Sequence, residues 1–156
     1  MEEGRRRLLP GARGMTFIVC EDGREYTDRF SRFLGSEFQF ARAGHFAEAL
    51  RLAPDAQGLL LDLDFRRTPL ALLVDETGAP APARAAEVQG ILLLRALRSR
   101  GVKLPALLFA DLDDSGRTAR LEDELAPLQI VSSSEGLPRI AQRLREISAR
   151  AAPPAG

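Results

Sequence analysis

Carboxylates follow several apolar segments of this sequence, and they are the residues best placed to do chemistry. Glu21 and Asp22 come directly after the first apolar run, and Asp62 closes a longer one, with Asp64 two positions later. Clustered carboxylates repel one another unless a cation lies between them. Carboxylate oxygens on a rigid edge are typical ligands of Mg²⁺, which takes only a few of them and keeps several waters. An aspartate bound to such an ion is also a sound acceptor for a phosphoryl group.

The same acids fit a simpler interpretation. Loops that follow strands are exposed, so acidic side chains are common there without any chemistry. An adjacent pair, Glu21 and Asp22, combined with Asp62 on the strand expected beside it, is more specific than a single acidic strand end. A Mg²⁺ site and a set of solvated loop acids both stay open at this point.

Five short apolar runs, which must position these acids, alternate with segments of helical periodicity. A continuous apolar run is typical of a strand buried on both faces of a parallel sheet, and apolar spacing of three and four predicts the helices. The predicted strands are 16–20, 38–41, 58–64, 105–110 and 128–131, and the predicted helices are 24–34, 46–53, 85–99, 115–125 and 137–147. This order predicts an α/β fold, a flavodoxin-like doubly wound five-stranded parallel sheet, (βα)5.

An insertion of about residues 66–89 separates the third strand from the third helix. Leu70–Val74 could form an extra strand, and Gly78–Pro82 has the composition of a loop. The segment emerges beside the acidic edge of the sheet. It could cap the site or present a surface to a partner, or it could be a neutral surface insertion, because loop lengthening costs little entropy.

The balance of charged residues sets limits on partners and location. The chain has 22 basic and 22 acidic residues, so its net charge favours neither nucleic acid nor an anionic membrane as a partner. No apolar run is long enough to cross a bilayer. Cys20 is the only cysteine, which excludes an internal disulfide and is consistent with the cytoplasmic location that we expect.

The length of 156 residues fits one domain. We expect a folded domain over residues 16–150, preceded by a flexible arm over 1–15 and followed by a disordered tail over 151–156. The apolar stretch after the basic start is too short for a secretory signal, and the true start could be Met15.

The pattern resembles the receiver domain of bacterial response regulators across nearly the whole chain. In that family an acidic pair follows the first strand, matched here by Glu21 and Asp22, and the phosphoacceptor closes the third strand, matched by Asp62. The resemblance implies that these three side chains bind Mg²⁺ together with the backbone carbonyl of Asp64. The glycine that the family has at the start of the third helix is matched by Gly90.

The sequence departs from the family where receivers read the phosphoryl group. Ala110 stands where receivers have a Thr or Ser at the end of the fourth strand, and Ser132 follows the fifth strand where they have a Lys. Lys103, the only lysine, precedes the fourth strand and so lies at the wrong end of the sheet. An ammonium–phosphate bond is about twice as strong as a neutral one, so a serine cannot replace it. We expect Ser132–Ser134 to cap the last helix instead.

This combination resembles a pseudo-receiver, a receiver fold used as a protein-interaction module. It implies a stand-alone signalling module of a two-component or phosphorelay pathway, not an enzyme, with weak or no aspartyl phosphorylation at Asp62. Its expected partners are signalling proteins, such as a histidine kinase or a downstream effector. In receivers the surface formed by the fourth helix, fifth strand and fifth helix commonly makes such contacts.

Two other interpretations stay open. Residues 61–64, Leu-Asp-Leu-Asp, are similar to the Asp-x-Asp motif of haloacid-dehalogenase-type phosphatases, with Asp62 as nucleophile and Asp64 as general acid. Asp113-Asp114 would then imitate the later acidic motif, although Arg66 stands where that family has a Thr. The remaining interpretation is a scaffolding domain whose acids are merely solvated.

Overall fold

The computed structural model describes residues 14–151, over which five strands alternate with five helices. The strands are β1 (Thr16–Cys20), β2 (Gln39–Ala43), β3 (Gly58–Asp62), β4 (Ala106–Phe109) and β5 (Leu128–Val131). The helices are α1 (Glu25–Leu34), α2 (Phe46–Leu52), α3 (Gln89–Ser99), α4 (Ser115–Glu124) and α5 (Leu137–Ala151). Apart from residues 14, 15 and 151, the predicted arm and tail lie outside the described residues.

All strand pairs are parallel, and the sheet order is β2-β1-β3-β4-β5. This is the flavodoxin-like order that the sequence predicts, with β1 and β3 as neighbours. Cys20 pairs with Leu61 in that register. Glu21, which follows β1, and Asp62, the last residue of β3, therefore lie side by side at the same edge of the sheet.

The sheet separates two apolar layers, because successive strand residues point to opposite faces. Phe17 and Val19 of β1 belong to the layer packed by α1 and α5. Ile18 and Cys20 belong to the layer packed by α2, α3 and α4. Burial, with a smaller effect from Glu21, raises the pKa of the Cys20 thiol to about 12, so this cysteine is an inert core residue.

The helices differ from the predicted ones mainly at their ends. α3 begins at Gln89, because residues Ala83–Val88 before it wind into a 3₁₀ turn. α5 continues to Ala151, beyond the last apolar residue that predicted it. Among residues 14–151, no helix combines the length and apolar character that crossing a bilayer would require.

The inserted segment is folded onto the domain, but it contains no extra strand over Leu70–Val74. Leu70–Leu72 form a 3₁₀ turn, and the only pairing there is an isolated antiparallel bridge between Val74 and Pro80. No strand forms over Leu70–Val74, because its apolar residues differ in their burial. Leu73 is fully buried in the core, whereas Leu70 is exposed.

A buried glutamine fastens this segment to α3. The side chain of Gln89, 1% exposed, accepts a hydrogen bond from the N–H of Val74 and donates one to its carbonyl, both at 2.9 Å. A hydrogen bond joins the two ends of the segment: the N–H of Phe65 donates to the carbonyl of Ala86 at 2.8 Å. These bonds satisfy backbone groups that would otherwise be buried without partners.

Candidate functional site at the carboxyl edge of the sheet

Asp62 ends the central strand β3 and is half-buried at the carboxyl edge. Its Oδ1 accepts a hydrogen bond from the N–H of Leu63 at 2.9 Å. Burial raises the pKa of this carboxyl to about 6, and the negative charges of Asp22, Glu21 and Asp64 add to the effect. The acids predicted to converge on Asp62 are therefore close enough to act on its charge.

The start of α3 packs directly onto the end of β3. The N–H of Gly90 donates to the carbonyl of Leu63 at 3.0 Å. A Cβ atom at Gly90 would lie 2.0 Å from the carbonyl oxygen of Asp62, so no larger residue fits without displacing the backbone. Gly90 is thus the second residue of α3, in agreement with its match to the glycine that receivers have at the start of the third helix.

Glu21 is turned toward the start of α1. Its Oε2 accepts bonds from the N–H and hydroxyl of Thr27 at 2.7 and 2.6 Å, and its Oε1 accepts from the N–H of Tyr26 at 3.1 Å. Arg24, which precedes the helix, provides no side-chain cap. Glu21 supplies the cap instead, since a carboxylate at a helix N-terminus satisfies free N–H groups and complements the dipole.

Asp22 is held by Arg67 from the inserted segment. The backbone N–H of Arg67 donates to Asp22 Oδ2 at 2.9 Å, and its Nη2 donates to Asp22 Oδ1 at 3.1 Å. The same guanidinium donates to both carboxylate oxygens of Glu25 at 3.0 Å. These bonds lower the pKa of Glu25 to about 2 and raise that of Arg67 above its ordinary value.

A second guanidinium fixes the loop that carries the acidic pair. Arg42 of β2 donates from Nε to the carbonyl of Gly23 and from Nη2 to the carbonyl of Asp22 at 3.2 Å. It also reaches the carbonyl of Glu21 at 3.4 Å. Because it contacts carbonyls and not carboxylates, Arg42 orients the loop without pairing with the acidic side chains.

The other acids of this edge have local partners. Asp64 pairs with Arg66 through Oδ2 and Nε at 2.8 Å and accepts the Arg66 N–H at 2.9 Å. Asp114 caps α4, where its Oδ1 accepts from the N–H groups of Gly116 and Arg117 at 2.9 and 3.1 Å. Neither carboxylate is free to serve as the general acid or later acidic motif of a phosphatase in this conformation.

The ends of β4 and β5 form a closed polar cluster. Asp111 Oδ1 accepts from the hydroxyl of Ser132 at 2.9 Å and from the N–H of Ser133 at 3.1 Å, and the Ser133 hydroxyl bonds Oδ2. These bonds lower the pKa of Asp111. The expectation that the serines cap α5 is wrong, because they bond Asp111 and one another, and α5 starts only at Leu137.

Ala110 is buried directly after β4, where a receiver would present a hydroxyl, and it has no polar side-chain atom to offer. Lys103 precedes β4, at the opposite end of the sheet from Asp62, as its sequence position predicts. Within the described residues, β4 is thus followed at this edge by Ala110 and Asp111, and β5 by the serines that bond Asp111, and none of these side chains is a cation.

The carboxylates of this edge do not fit a divalent metal ion as they are placed. Within residues 14–151 no three His, Cys, Asp or Glu side chains form a group that could hold one. Both oxygens of Glu21 serve α1, and both oxygens of Asp22 serve Arg67. Of the predicted side-chain ligands, only Asp62 keeps a carboxylate outside such pairs, and the predicted Mg²⁺ set with the Asp64 carbonyl stays a prediction.

Sequence reasoning missed the two arginines and the serine–aspartate cluster. Arg67 lies 45 residues from Asp22 along the chain, and Asp111 lies 21 residues from Ser132. No periodicity links such pairs, because periodicity reports only local structure. A signal did exist for Arg67: the inserted segment was expected to emerge beside the acids and could cap them.

No protein-family model and no curated protein matches this sequence. Solved structures match its fold across most of the chain. One is the receiver domain of the Francisella response regulator 1452, with a TM-score of 0.64 and 15% identity over 87% of this chain and 98% of that one.

A signal receiver domain of a signal transduction histidine kinase from Syntrophus aciditrophicus matches with a TM-score of 0.63 and 14% identity, over 91% of this chain and 96% of that one. A probable two-component system response regulator/GGDEF domain protein matches with a TM-score of 0.63 and 21% identity, over 89% of this chain and 51% of that one. This chain therefore has the fold of response-regulator receiver domains, in agreement with the resemblance seen in its sequence.

Proposed function

We propose that this chain is a signalling module of a two-component or phosphorelay pathway that acts through protein contacts, with weak or no phosphorylation at Asp62. The observation that carries the proposal is the position of Asp62. It lies half-buried at the end of the central strand of a receiver fold, with Asp22 and Glu21 close enough to raise its pKa.

The neighbouring strands support the weak or absent phosphorylation. A phosphoryl group on Asp62 would gain most from an ammonium or hydroxyl donor beside it. Ala110 offers no donor, and the hydroxyls of Ser132 and Ser133 are engaged by Asp111. An added phosphoryl group would therefore meet few stabilising contacts on that side of the edge.

Mg²⁺ has no assigned step in this proposal. Glu21, Asp22, Asp62 and the carbonyl of Asp64 remain its candidate ligands, because they follow the strands that receivers use. The structure places Arg67 on Asp22 and α1 on Glu21, so any ion would require these side chains to be rearranged.

The partners that we propose are signalling proteins, a histidine kinase or a downstream effector, and the location that we propose is the cytoplasm. The surface of α4, β5 and α5 is the candidate contact face. It is held in shape by side chains that bridge its elements: Glu122 accepts from the N–H of Ile130 at 2.9 Å, and Arg143 donates to Gln129 at 2.7 Å and to Glu135 at 3.2 Å.

The phosphatase interpretation gains no support from the site. Its general acid, Asp64, is paired with Arg66, and Asp114 is used to cap α4. A scaffolding role without chemistry requires an unreactive Asp62, so a phosphoryl adduct on Asp62 in the same experiment would exclude it.

The test is intact-mass analysis of the purified domain after incubation with acetyl phosphate and Mg²⁺, with Asp62→Asn as the matched variant. We expect at most a slow, substoichiometric adduct of one phosphoryl group that is absent from Asp62→Asn. Asn preserves the shape of the side chain and its bond with the N–H of Leu63, so loss of the adduct would locate the acceptor.

Fast and complete phosphorylation of Asp62 would contradict the proposal and make the chain an ordinary receiver. An adduct that persists in Asp62→Asn would contradict the assignment of the acceptor. A chain without an adduct would agree with a module that works entirely through its surface.

A further inference from the structure

We propose that the guanidinium of Arg67 is the resident cation of the acidic edge, and that Arg67 and a divalent metal ion bind Asp22 in mutual exclusion. The proposal concerns the site described above and rests on the proposed function only in treating that edge as the receiver-like site. It would make the inserted segment a built-in control on cation binding.

Arg67 contacts both carboxylate oxygens of Asp22. One carboxylate oxygen accepts the Arg67 backbone N–H at 2.9 Å, and the other accepts Nη2 at 3.1 Å. The Asp22 side chain is only 6% exposed, whereas that of Arg67 is 60% exposed. Arg67 therefore covers Asp22 from the solvent side, which is the side from which an ion would arrive.

The electrostatics of the edge require a positive charge near Asp22. Asp22 and Glu21 follow β1, which pairs with β3, the strand that ends in Asp62, and carboxylates of like charge at one partly buried edge are costly without a counter-charge. The other two arginines here do not supply it to Asp22, since Arg66 pairs with Asp64 and Arg42 donates to backbone carbonyls. Arg67 is the guanidinium that pairs with Asp22 within the described residues.

The loop after β1 leaves room for this guanidinium. A Cβ atom at Gly23 would lie 2.4 Å from Nη2 and 2.9 Å from Cζ of Arg67. It would also lie 2.2 Å from Glu25 Oε1, the carboxylate that holds the other side of the same guanidinium. Gly23 and Glu25 thus shape a seat for Arg67 beside Asp22.

A metal ion and Arg67 compete for the same oxygen atoms. Mg²⁺ binds through carboxylate oxygens, and a guanidinium within a few ångströms would repel it. The folded inserted segment holds Arg67 beside Asp22, so the guanidinium competes as an intramolecular group with an effective concentration of at least about the millimolar range, and the wild-type chain resists an ion at ordinary concentrations. Removing the guanidinium should free Asp22 Oδ1, while the backbone N–H of residue 67 keeps the other oxygen in place.

The experiment is thermal unfolding of wild type and Arg67→Gln with and without millimolar Mg²⁺, repeated with Mn²⁺. A ligand that binds only the folded state raises the melting temperature. We expect no shift for wild type and a rise of several degrees for Arg67→Gln with either ion. Arg66→Gln is the matched control, because it removes the same charge from the neighbouring residue without touching Asp22, and it should behave like wild type.

The double variant Arg67→Gln/Asp22→Asn locates the ion, and we expect it to lose the shift. If Arg67→Gln does not fold, Arg67→Met gives the same comparison, because it also removes the positive charge and keeps an unbranched side chain. Equal shifts in wild type and variant would overturn the proposal, because the ion would then bind beside Arg67. The absence of a shift in both proteins would overturn the proposal as well, because removing Arg67 would then not have allowed a metal ion to bind.

This outcome is independent of phosphorylation. Melting temperatures report whether the cation site opens, whereas the mass of the acetyl phosphate product reports whether Asp62 reacts. A metal response in Arg67→Gln without a phosphoryl adduct would support Arg67 as the resident cation and leave Asp62 unreactive. An adduct on Asp62 with no metal response in any variant would support the signalling chemistry and refute the role of Arg67.

Discussion

The backbone of Gly90 approaches the carbonyl oxygen of Asp62 so closely that an added Cβ would lie 2.0 Å from it. This contact joins the first turn of α3 to the end of the strand that carries the candidate phosphoacceptor. The position of the Asp62 carboxylate is therefore coupled to the position of a helix. A shift of the end of β3 should therefore displace the first turn of α3, and the reverse, because packed interiors have little free space.

Gly90→Ala should destabilise the domain by about 1–3 kcal/mol, because the methyl group must push α3 away from β3. Urea unfolding measures the change as a lower midpoint with an unchanged slope. Gly116→Ala is the matched control, since Gly116 is likewise the second residue of its helix, α4. Its Cβ would approach side-chain atoms only to 3.2 Å, so we expect nearly wild-type stability. Equal stability of the two variants would contradict the close approach.

Asp62→Asn should stabilise the folded chain at about pH 8 and have little effect near pH 4. The folded state raises the carboxyl pKa from 3.8 to about 6, so between these values the folded chain binds more protons than the unfolded one. Stability linked to this group therefore falls as the pH rises through that window, and the full penalty is present above it. Asn removes the charge and with it a penalty of about 1 kcal/mol, a value reduced for partial exposure.

Thermal unfolding of Asp62→Asn across this pH range provides the measurement. The control is Asp113→Asn, which removes a charge from an exposed position after β4 at the same edge. Its effect on the melting temperature should be small at every pH. A loss of stability for Asp62→Asn at pH 8 would show that the charged carboxylate has a stabilising partner.

Gln89→Leu should loosen the inserted segment. It leaves the buried N–H and carbonyl of Val74 without partners, which costs about 1–3 kcal/mol. Hydrogen exchange at the amide of Val74 should accelerate more than exchange in β1 or β3. Unchanged exchange in Gln89→Leu would mean that the segment is held by its apolar contacts alone.

Arg98→Lys should be destabilising although it preserves the charge. The guanidinium of Arg98 donates to four backbone carbonyls at 2.8–3.0 Å, those of Val102, Leu104, Leu125 and Pro127. An ammonium cannot reach this set, so we expect a loss of about 1–3 kcal/mol in denaturant unfolding. Arg95→Lys, on the same helix with only Glu124 as partner, should change stability by about 0.5 kcal/mol or less. Similar losses of stability in both variants would contradict a special role for the planar guanidinium of Arg98.

The strand order and the position of Asp62 could be predicted from the sequence because both follow from local patterns. Apolar runs such as Leu59–Leu61 identify buried strands, and alternation with helices restricts the topology. Gly90 could be assigned from the resemblance to receivers, because it stands near the start of the apolar pattern that predicts the third helix. These features needed no knowledge of which side chains meet in space.

The contacts that decide the chemistry of the edge could not be predicted in this way. Glu21 could bind an ion or cap a helix, and only the geometry of α1 shows that it caps. Leu70–Val74 is apolar enough for a strand, yet both edges of β3, the strand before it, are paired with β1 and β4, and Leu70–Leu72 form a 3₁₀ turn instead. The link between Arg67 and Asp22 depends on how the inserted segment folds back, which a local pattern does not encode.

The packing of the inserted segment into the core limits the insertions and deletions that the domain can tolerate. Leu73 of this segment is fully buried, and the side chain of Gln89 bonds the backbone of Val74. A deletion of the segment would remove buried side chains from the interior, so it should destabilise the domain unless other substitutions compensate. Its exposed turn around Glu76 and Thr77 should tolerate variation in length, which makes that turn a suitable point for grafting a tag or a foreign loop.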